Sequence, residues 1–526
     1  GAHRGDAMMR LTRARCSALG PSAERASGAA RLAVCVCASA LACSAAPLPL
    51  PAAPAQKTSS ELAHWQTPPP LAPERRLDLE WHVERERLGS GLGISAVSRP
   101  ESAVTSIALW VPTARDTGHG AVAAMVEALR AGTLSSDGVT RIDPRLARQP
   151  IAVSTDANGS FFSWIVLPRA TERALGWLGD FVTHPSFEPE ATRIVLQQVL
   201  AVVQRDSGTA RHIADVARDA LPGIQIASPE RDARGLFRLT PDVLRQVHRC
   251  ALSARGAELV VVGPESAAEM LRWARAAFTG FGGSGASSRS APAAQDAAGC
   301  AEWALAADVD AASSRDRLDV QIIYGGAFDP WVVLVVPGPA LDSDDYLPFA
   351  LLARVLDGRD SGAARLRHMG ATYGIHSRIE EGYPGGVLLE LEGQVAPDGA
   401  QGALRRLIED IRGLSRSLQA PELEEVKRRW RTAFVNSLAN DATLARAALW
   451  QLRRGRTPEA VKSLPDELSQ ITLERCREVA AKWLNDAQPS IAIAGLPVKL
   501  LRGLGFRTNV RRNYWTDELL EQKKAL

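Results

Sequence analysis

The amino-acid sequence predicts an α+β fold of two tandem, homologous halves, each an antiparallel β-sheet with helices packed on one face. Three observations support this prediction: the length of 526 residues, a Gly/Ser-rich stretch near the middle, and strand and helix patterns that recur on both sides of that stretch. A chain of this length holds roughly two to four domains. The hydrophobic fraction of 46% and the charged fraction of 23% are ordinary for a globular protein with a large core.

Four pairs of segments recur in the same order on both sides of the middle stretch. Each pair combines the same residue pattern with the same predicted element. The pairs are the apolar strands 107–112 and 332–337, offset by 225, and three pairs offset by 232: helix starts 189–190 and 421–422, helix starts 239–240 and 471–472, and strands 259–263 and 491–495. Constant order and nearly constant spacing indicate an internal duplication.

Individual elements follow from local patterns. Residues 104–111 are apolar enough for a buried central strand, and 161–167 and 386–392 follow turn signals as later strands. Residues 192–203 have apolar side chains at helical spacing, between Pro189 and Asp206.

Composition sets the domain boundaries. We predict a signal peptide at 1–46, a Pro/Ala-rich tether at 47–80, a first half at 81–279, a Gly/Ser-rich linker at 280–300, a second half at 301–510 and a charged tail at 511–526.

The N-terminal segment predicts export. Basic residues precede the apolar run 32–43, which is too short to span a bilayer, and small residues follow it. We therefore expect the periplasm or the outer membrane of a Gram-negative bacterium. Cys43 ends an A-L-A-C sequence close to a bacterial lipoprotein box, with Ala where Leu is usual. Lipidation of Cys43 and plain cleavage nearby both remain open, and any membrane contact would be through that lipid.

Charge and cysteine content narrow the function classes. A net charge of +3 argues against a nucleic-acid partner, which requires a surplus of positive charge. Four of the seven cysteines lie in the segment predicted to be removed. We expect Cys250, Cys300 and Cys476 to be small buried side chains, with one optional disulfide.

The two halves resemble the M16 zinc peptidases, the family of insulinase, pitrilysin and mitochondrial processing peptidase. The first half has the family's L-x-x-G-L start at 88–92, an apolar strand ending at Val111, and the frame from Gly120 to Thr133. The sequence GATYG at 370–374 is similar to the family's G-x-x-Y-G segment. The resemblance covers roughly residues 85 to 505 and implies the bacterial two-domain type of the fold.

The zinc motif departs from the family's pattern. The resemblance implies H-x-x-E-H on a helix, with two zinc-binding histidines and a general base, and a distal Glu. The corresponding residues here are Ala123 and Glu127 for the histidines, Val126 for the base and Gln198 for the distal Glu. Alanine and valine have no donor atoms, whereas catalytic zinc needs about three protein ligands.

No other histidine arrangement replaces the motif. The sequence contains no H-x-x-E-H and no H-x-x-x-H. His82 reads as solvated, and a site rescued by His119 with Glu127 is disfavoured because His119 has no partner histidine nearby. We therefore expect a non-catalytic member with no metal or cofactor of its own, and zinc only in a partner subunit.

For a member without zinc, the resemblance implies a partner chain that carries zinc and an Arg/Tyr pair that holds peptide substrate. Tyr373 matches the Tyr. Arg367 is the residue match for the Arg, but its spacing is one residue short, so Arg365 is a rival. A guanidinium and a phenol hydroxyl can both donate to a peptide carbonyl. The alternatives are an exposed helical face for the arginines and a sheet-surface aromatic for Tyr373. His368 and His376 read as solvated.

The resemblance also implies that extended peptide is bound at a sheet edge, where main-chain hydrogen bonds give affinity. Residues 106–110 and the turn 156–160 are the candidates by resemblance.

Three functions follow from these predictions. The first is a non-catalytic subunit of an exported heterodimeric M16 zinc peptidase, with the zinc-bearing chain and a peptide as partners. The alternative is a free-standing periplasmic or lipid-anchored peptide-binding or scaffold protein. A weaker alternative is residual metallopeptidase activity of the chain alone.

Overall fold

The structure of the chain is a computed structural model. It describes residues 81–112, 121–129, 133–135, 138–140, 151–155, 158–206, 209–221, 236, 239–282, 319–323, 330–358, 366, 370, 372–382, 386–495 and 507–511. Leu77–Leu526 forms one compact unit. The other unit, Gly1–Arg76, lies outside the described residues, as do the predicted signal peptide, the whole predicted tether and Cys43. None of the described helices combines the length and apolar character needed to cross a membrane.

The first half contains eight strands and six helices among its described residues. In chain order they are β1 His82–Arg87, β2 Gly93–Ser98, β3 Thr105–Pro112, α1 Ala121–Ala128, β4 Thr133–Ser135, β5 Gly138–Thr140, β6 Ala152–Thr155, β7 Gly159–Val166, α2 Thr171–Thr183, α3 Pro189–Asp206, α4 Ala210–Asp219, α5 Pro241–Ala251, β8 Glu258–Gly263 and α6 Ala267–Phe278.

The second half contains six strands and six helices among its described residues. They are β9 Asp319–Ile323, β10 Trp331–Ala340, α7 Tyr346–Leu356, β11 Thr372–Glu381, β12 Gly386–Val395, α8 Ala400–Ser417, α9 Ala420–Ser437, α10 Asp441–Arg453, α11 Ala460–Gln470, α12 Leu473–Trp483, β13 Ser490–Ala494 and β14 Arg507–Arg511.

Each half builds a six-stranded sheet. Sheet 1 has the order β1-β2-β8-β3-β7-β6 and sheet 2 the order β11-β12-β10-β13-β9-β14, while β4 and β5 form a separate hairpin. Strands β2, β8, β3, β7 and β6 correspond in order and direction to β9, β13, β10, β12 and β11. The predicted α+β fold with two homologous halves is thereby confirmed.

The strand registers match as well as the order. Ser106 on β3 lies opposite Val262 on β8, and Trp331 on β10 lies opposite Ala494 on β13. These two pairs are related by the offsets of 225 and 232 found in the sequence. A one-residue slip would have turned every side chain to the other face, so the duplication has preserved which residues are buried.

Equivalent helices also start in the same way. Thr240 precedes α5, and its hydroxyl accepts from the Val243 amide at 3.3 Å. Thr472 precedes α12, and its hydroxyl accepts from the Arg475 amide at 3.1 Å. Each threonine satisfies one of the free amides of the first helical turn, which stabilises a helix by about 1 kcal/mol.

The inner face of each sheet packs against helices of its own half. In sheet 1, Ile107 and Leu109 contact a core shared with α1, α2, α5 and α6. In sheet 2, Leu334 and Val336 contact a core shared with α7, α8 and α12.

The outer face of each sheet is covered by a helix from the other half. Helix α10 packs on Ala108, Val260 and Val262 of sheet 1. Helix α4 packs on Val333 and Val335 of sheet 2. The expectation of helices on one face only is therefore wrong, because each half supplies the second layer of the other.

The sheets are also mixed rather than purely antiparallel. Strand β2 runs parallel to β8, and β9 runs parallel to both β13 and β14. A parallel pair requires a long crossover connection, and the helices between β2 and β8 in sequence provide it. The expectation of antiparallel sheets is correct only for the other ladders.

Candidate functional site

Helix α1 carries Ala123, Val126 and Glu127, which the resemblance assigns to the zinc motif, and its described side chains are mostly buried. It packs against α3, α5 and β6. Met125 and Val126 are buried in the first-half core, and Glu127 is half-buried. The backbone of Ala123 belongs to the helix, while its side chain and His119 lie outside the described residues.

Gln198, which the resemblance assigns to the distal ligand, lies on the exposed face of α3. Leu196 and Leu200 of the same helix are buried, and Gln198 lies on the opposite side. One turn before and one turn after it, Ile194 and Val202 are 43% and 42% exposed. The exposed side chains one turn on either side of Gln198 are therefore apolar.

These residues do not fit a zinc ion. Val126 supplies no donor atom, and Gln198 offers only a neutral amide, a weak ligand for zinc compared with carboxylate, imidazole or thiolate. Within the described ranges, no group of three or more His, Cys, Asp or Glu side chains could hold a metal ion. Glu127 alone cannot complete a three-ligand site.

The first candidate for peptide binding at a sheet edge is not at an edge. Strand β3, which contains residues 106–110, pairs with β7 on one side and with β8 on the other. Its main-chain groups are already used, so the assignment of 106–110 as a peptide-binding edge is wrong. The outermost strands of the two six-stranded sheets are β1, β6, β11 and β14.

Strand β6 is the outermost strand beside α1. Its exposed residues are Ala152 and Ser154, and β7 pairs with it on one side only. Of the predicted turn 156–160, Asn158, Gly159 and Ser160 are described, and they lead directly into β7. The turn therefore connects the outermost strand to its neighbour.

Strand β11 is the outermost strand of sheet 2 and carries Tyr373 in its backbone. An irregularity in pairing with β12 occurs between Thr372 and Gly374, on either side of Tyr373. The Thr372 hydroxyl donates to the Gln394 carbonyl and accepts from the Gly374 amide at 3.1 Å. The side chain of Tyr373, together with Arg365, Arg367 and His368, lies outside the described residues.

The histidines that the sequence assigns to solvent are exposed where they are described. The His376 side chain on β11 is 71% exposed, 3.4 Å from Asp357. The His82 side chain is equally exposed and contacts Glu84 at 3.1 Å. The prediction that these two histidines are solvated is confirmed.

The far end of β11 is tied to the first half. Asn158 donates through Nδ2 to the Gly382 carbonyl at 3.0 Å and to Glu381 at 3.4 Å. Glu381 also accepts from Arg453 at 2.6 Å, and the Arg453 guanidinium lies 4.3 Å from the centre of the Trp110 ring. This corner, formed by Asn158, Glu381 and Arg453, joins the turn after β6 to the C-terminal end of β11.

A group of charged side chains covers the outer face of β11 and β12. Glu390 is fully buried and accepts from Arg218 at 2.5 Å and also from Arg378. Burial raises the pKa of neighbouring Glu392, partly opposed by Arg378 and increased by Glu390. The two arginines therefore stabilise a buried acidic surface behind the strand that carries Tyr373.

The described cysteines differ from one another. Cys476 is buried as a free thiol, and burial raises its pKa to about 11, which makes it unreactive. Cys250 on α5 is half-buried and disulfide-bonded. The expectation of a buried, small side chain is correct for Cys476, whereas for Cys250 the optional disulfide is the correct reading.

The sequence did not predict the contacts of Asn158 with the end of β11. The Asn-Gly pair at 158–159 signalled a turn, but its partners are 223 and 224 residues away in sequence. No periodicity links side chains at that separation.

Comparison with known proteins supports the same fold. A family model described as the peptidase M16 inactive domain matches residues 238–429. Comparison with curated proteins gives no match. A protease from Helicobacter pylori is 12% identical with a TM-score of 0.66, over 79% of this chain and 100% of that one.

A second solved structure is that of a peptidase M16 inactive domain from Pseudomonas fluorescens. It is 17% identical with a TM-score of 0.62, over 79% of this chain and 98% of that one. At these identities the solved structures show the fold alone, while the family model adds the sequence relationship. Residues 238–429 are therefore similar to the inactive domain of M16 peptidases, and 79% of the chain shares the fold of these two solved structures.

Proposed function

We propose that this protein is the non-catalytic subunit of an exported, heterodimeric M16 zinc peptidase. The observation on which this rests is a complete M16-type fold in which buried Val126 and exposed Gln198 occupy positions where a catalytic member needs a base and a metal ligand. The zinc ion and the general base belong to the partner chain. This chain supplies a wall of the substrate chamber.

The substrate is a peptide in extended conformation. Strands β6 and β11 are outermost in their sheets, so the main chain of a peptide could pair with either of them. Recognition through main-chain groups depends little on sequence, which suits a peptidase that accepts many peptides.

Tyr373 and a nearby arginine, Arg367 or Arg365, hold the substrate's carbonyl groups by donating hydrogen bonds. Tyr373 is eight residues from Glu381 on β11, a separation of about 26 Å at about 3.3 Å per residue. Glu381 lies at the corner with Asn158, so Tyr373 is remote from the first half's turn. This separation supports action of Tyr373 on a peptide held by the partner chain.

Export is part of the proposal. The disulfide at Cys250 supports an oxidising compartment, since such bonds are rare in the reducing cytosol. The predicted signal peptide supports the periplasm, and lipidation of Cys43 would add an outer-membrane anchor.

The test is reconstitution with an exported relative that carries H-x-x-E-H and a distal Glu. We expect the mixture to cleave a peptide that neither chain cleaves alone. Tyr373→Phe removes one donor and should lower kcat/KM of the mixture by about tenfold or more. Arg367→Ala and Arg365→Ala, made separately, identify the arginine by the larger loss.

His376→Ala is the matched control, because His376 is exposed on the same strand three residues away. It should leave activity within about twofold of wild type, since surface substitutions rarely perturb a fold. A chain that binds peptide but neither associates with the zinc-bearing relative nor changes its activity is the free-standing binding protein instead.

A further inference from the structure

The most extensive contact between the described residues of the two halves is made by two equivalent helices, each of which packs on the sheet of the other half. Helix α4 buries Ile213, Val216 and Ala217 against the outer face of sheet 2. Helix α10 buries Leu444, Ala448 and Leu449 against the outer face of sheet 1. Shifted by the repeat offset of 232, α4 falls within α10, so the same element of each half covers the other.

The covered sheet faces are apolar and shielded from water. On sheet 1 the outer-face residues Val97, Ala108, Val260 and Val262 are at most 2% exposed. On sheet 2, Val333, Val335 and Ala492 are fully buried. A half without its counterpart would expose a continuous apolar sheet face, which monomeric soluble proteins rarely do.

Desolvated ion pairs fix the relative position of the halves. Arg99, after β2, donates to Asp441 at the start of α10 at 2.5 Å, and both side chains are largely buried. Arg218 on α4 donates to the fully buried Glu390 on β12 at 2.5 Å. Removal of one partner from such a pair leaves a buried charge, so either half depends on the other.

Cation–π contacts reinforce the sheet 1 side of the boundary. The cations come from α10 and α11, and the aromatic rings come from the first half. The pairs are Arg446 with Phe161 at 5.0 Å, Arg453 with Trp110 at 4.3 Å, and Lys462 with Trp81 at 4.9 Å.

We propose that the two halves form an interlocked body held together by α4 and α10, which does not open along their boundary and does not depend on the connecting chain. The contacts are made on both sides of the boundary, by α4 in one direction and by α10 in the other. Separation of the halves would expose both apolar faces and four buried charges at once. A chain cut between residues 283 and 318 therefore remains one assembled molecule.

The test uses the full chain with a specific protease site inserted after residue 290. After complete cleavage, the two fragments should co-elute in size-exclusion chromatography at the volume of the intact chain, with unchanged circular dichroism. They should separate only at denaturant concentrations that also unfold them. Fragments that separate in native buffer would overturn the proposal.

Substitutions in α4 test whether its packing on sheet 2 holds the cleaved fragments together. Val216, 2% exposed on the outer face of sheet 2, is changed to Ala to weaken packing without adding charge. The dissociation constant of the cleaved fragments should rise about tenfold, in proportion to the apolar area lost. Arg211→Asp, on the exposed side of the same helix, should leave it unchanged.

A second pair of variants separates boundary contacts from general stability. Arg218→Ala removes the ion pair across the boundary, and Arg456→Ala removes the ion pair with Glu467 inside the second half. We expect only Arg218→Ala to weaken association of the cleaved fragments. Equal weakening by both variants would contradict an interlock based on α4.

Discussion

Position 126 is a buried valine and position 198 an exposed glutamine, where the resemblance to M16 peptidases leads us to expect a glutamate in a catalytic member. Helix α1 packs against α3, α5 and β6. Valine at position 126 supplies no donor atom, and the neutral amide of Gln198 is a weak ligand for zinc.

Ionisation of Glu392 should lower the free energy of unfolding as pH rises. Its pKa is raised above the ordinary 4.5 because burial disfavours the carboxylate. Glu392 therefore stays protonated to higher pH in the folded chain than in the unfolded chain. The free energy of unfolding that this contributes is lost as pH rises from 4.5 through the raised pKa. Glu392→Gln should match wild type at pH 4 and exceed it at pH 7.5 in urea unfolding.

Glu467 provides a control of opposite sign. The hydrogen bond from Arg456 lowers the pKa of Glu467 below the ordinary 4.5. Its contribution to stability is present above that value and lost as pH falls. Glu467→Gln should be less stable than wild type at pH 7.5, with the difference fading in acid; the same pH trend in both variants would refute the argument.

At the scale of elements, the close pairing of β11 and β12 depends on one glycine. A Cβ on Gly393 would lie 2.1 Å from the Gly374 carbonyl oxygen, which is backbone and cannot rotate away. Gly393→Ala should therefore destabilise the protein by about 1–3 kcal/mol in denaturant unfolding. It should also displace the strand that carries Tyr373.

Gly402 in α8 is the matched control, because an added Cβ meets nothing within 4 Å. Gly402→Ala should stabilise the helix by up to about 1 kcal/mol. If Gly393→Ala were as well tolerated as Gly402→Ala, the strand spacing would not depend on this position.

Sequence patterns predicted the individual helices and strands more reliably than they predicted which strands lie next to each other in a sheet. The helix expected between Pro189 and Asp206 and the caps at Thr240 and Thr472 occur as predicted. The order of strands in a sheet is set by contacts far apart in sequence. For that reason residues 106–110, correctly predicted as part of a central strand, were wrongly considered for an edge.

One signal for the second layer was present in the sequence. Residues 259–263 and 491–495 are apolar at every position except glycine, and strands β8 and β13, which contain 259–263 and 491–494, are buried throughout. A strand with one solvated face alternates, whereas a continuous apolar run indicates a strand buried on both faces. The run indicates that a second layer exists, but not that the other half supplies it.

At the scale of the whole molecule, the two halves are interlocked and the positions for metal ligands lack their donors. A chamber that opens between the halves would have to separate α4 and α10 from the sheets they cover. The proposed interlock excludes opening along that boundary, so the proposed substrate chamber is formed with a second chain. The proposed heterodimer meets both requirements, since the second chain brings the zinc and completes the chamber.

The most direct test of the proposed heterodimer is a titration of peptidase activity. The zinc-bearing relative is held at constant concentration, this chain is added in steps, and cleavage of a fluorogenic peptide is followed. Activity should rise from near zero and saturate at one chain of each kind, and Tyr373→Phe should reach a plateau about tenfold lower. Activity that is independent of this chain at every ratio would contradict the proposed heterodimer.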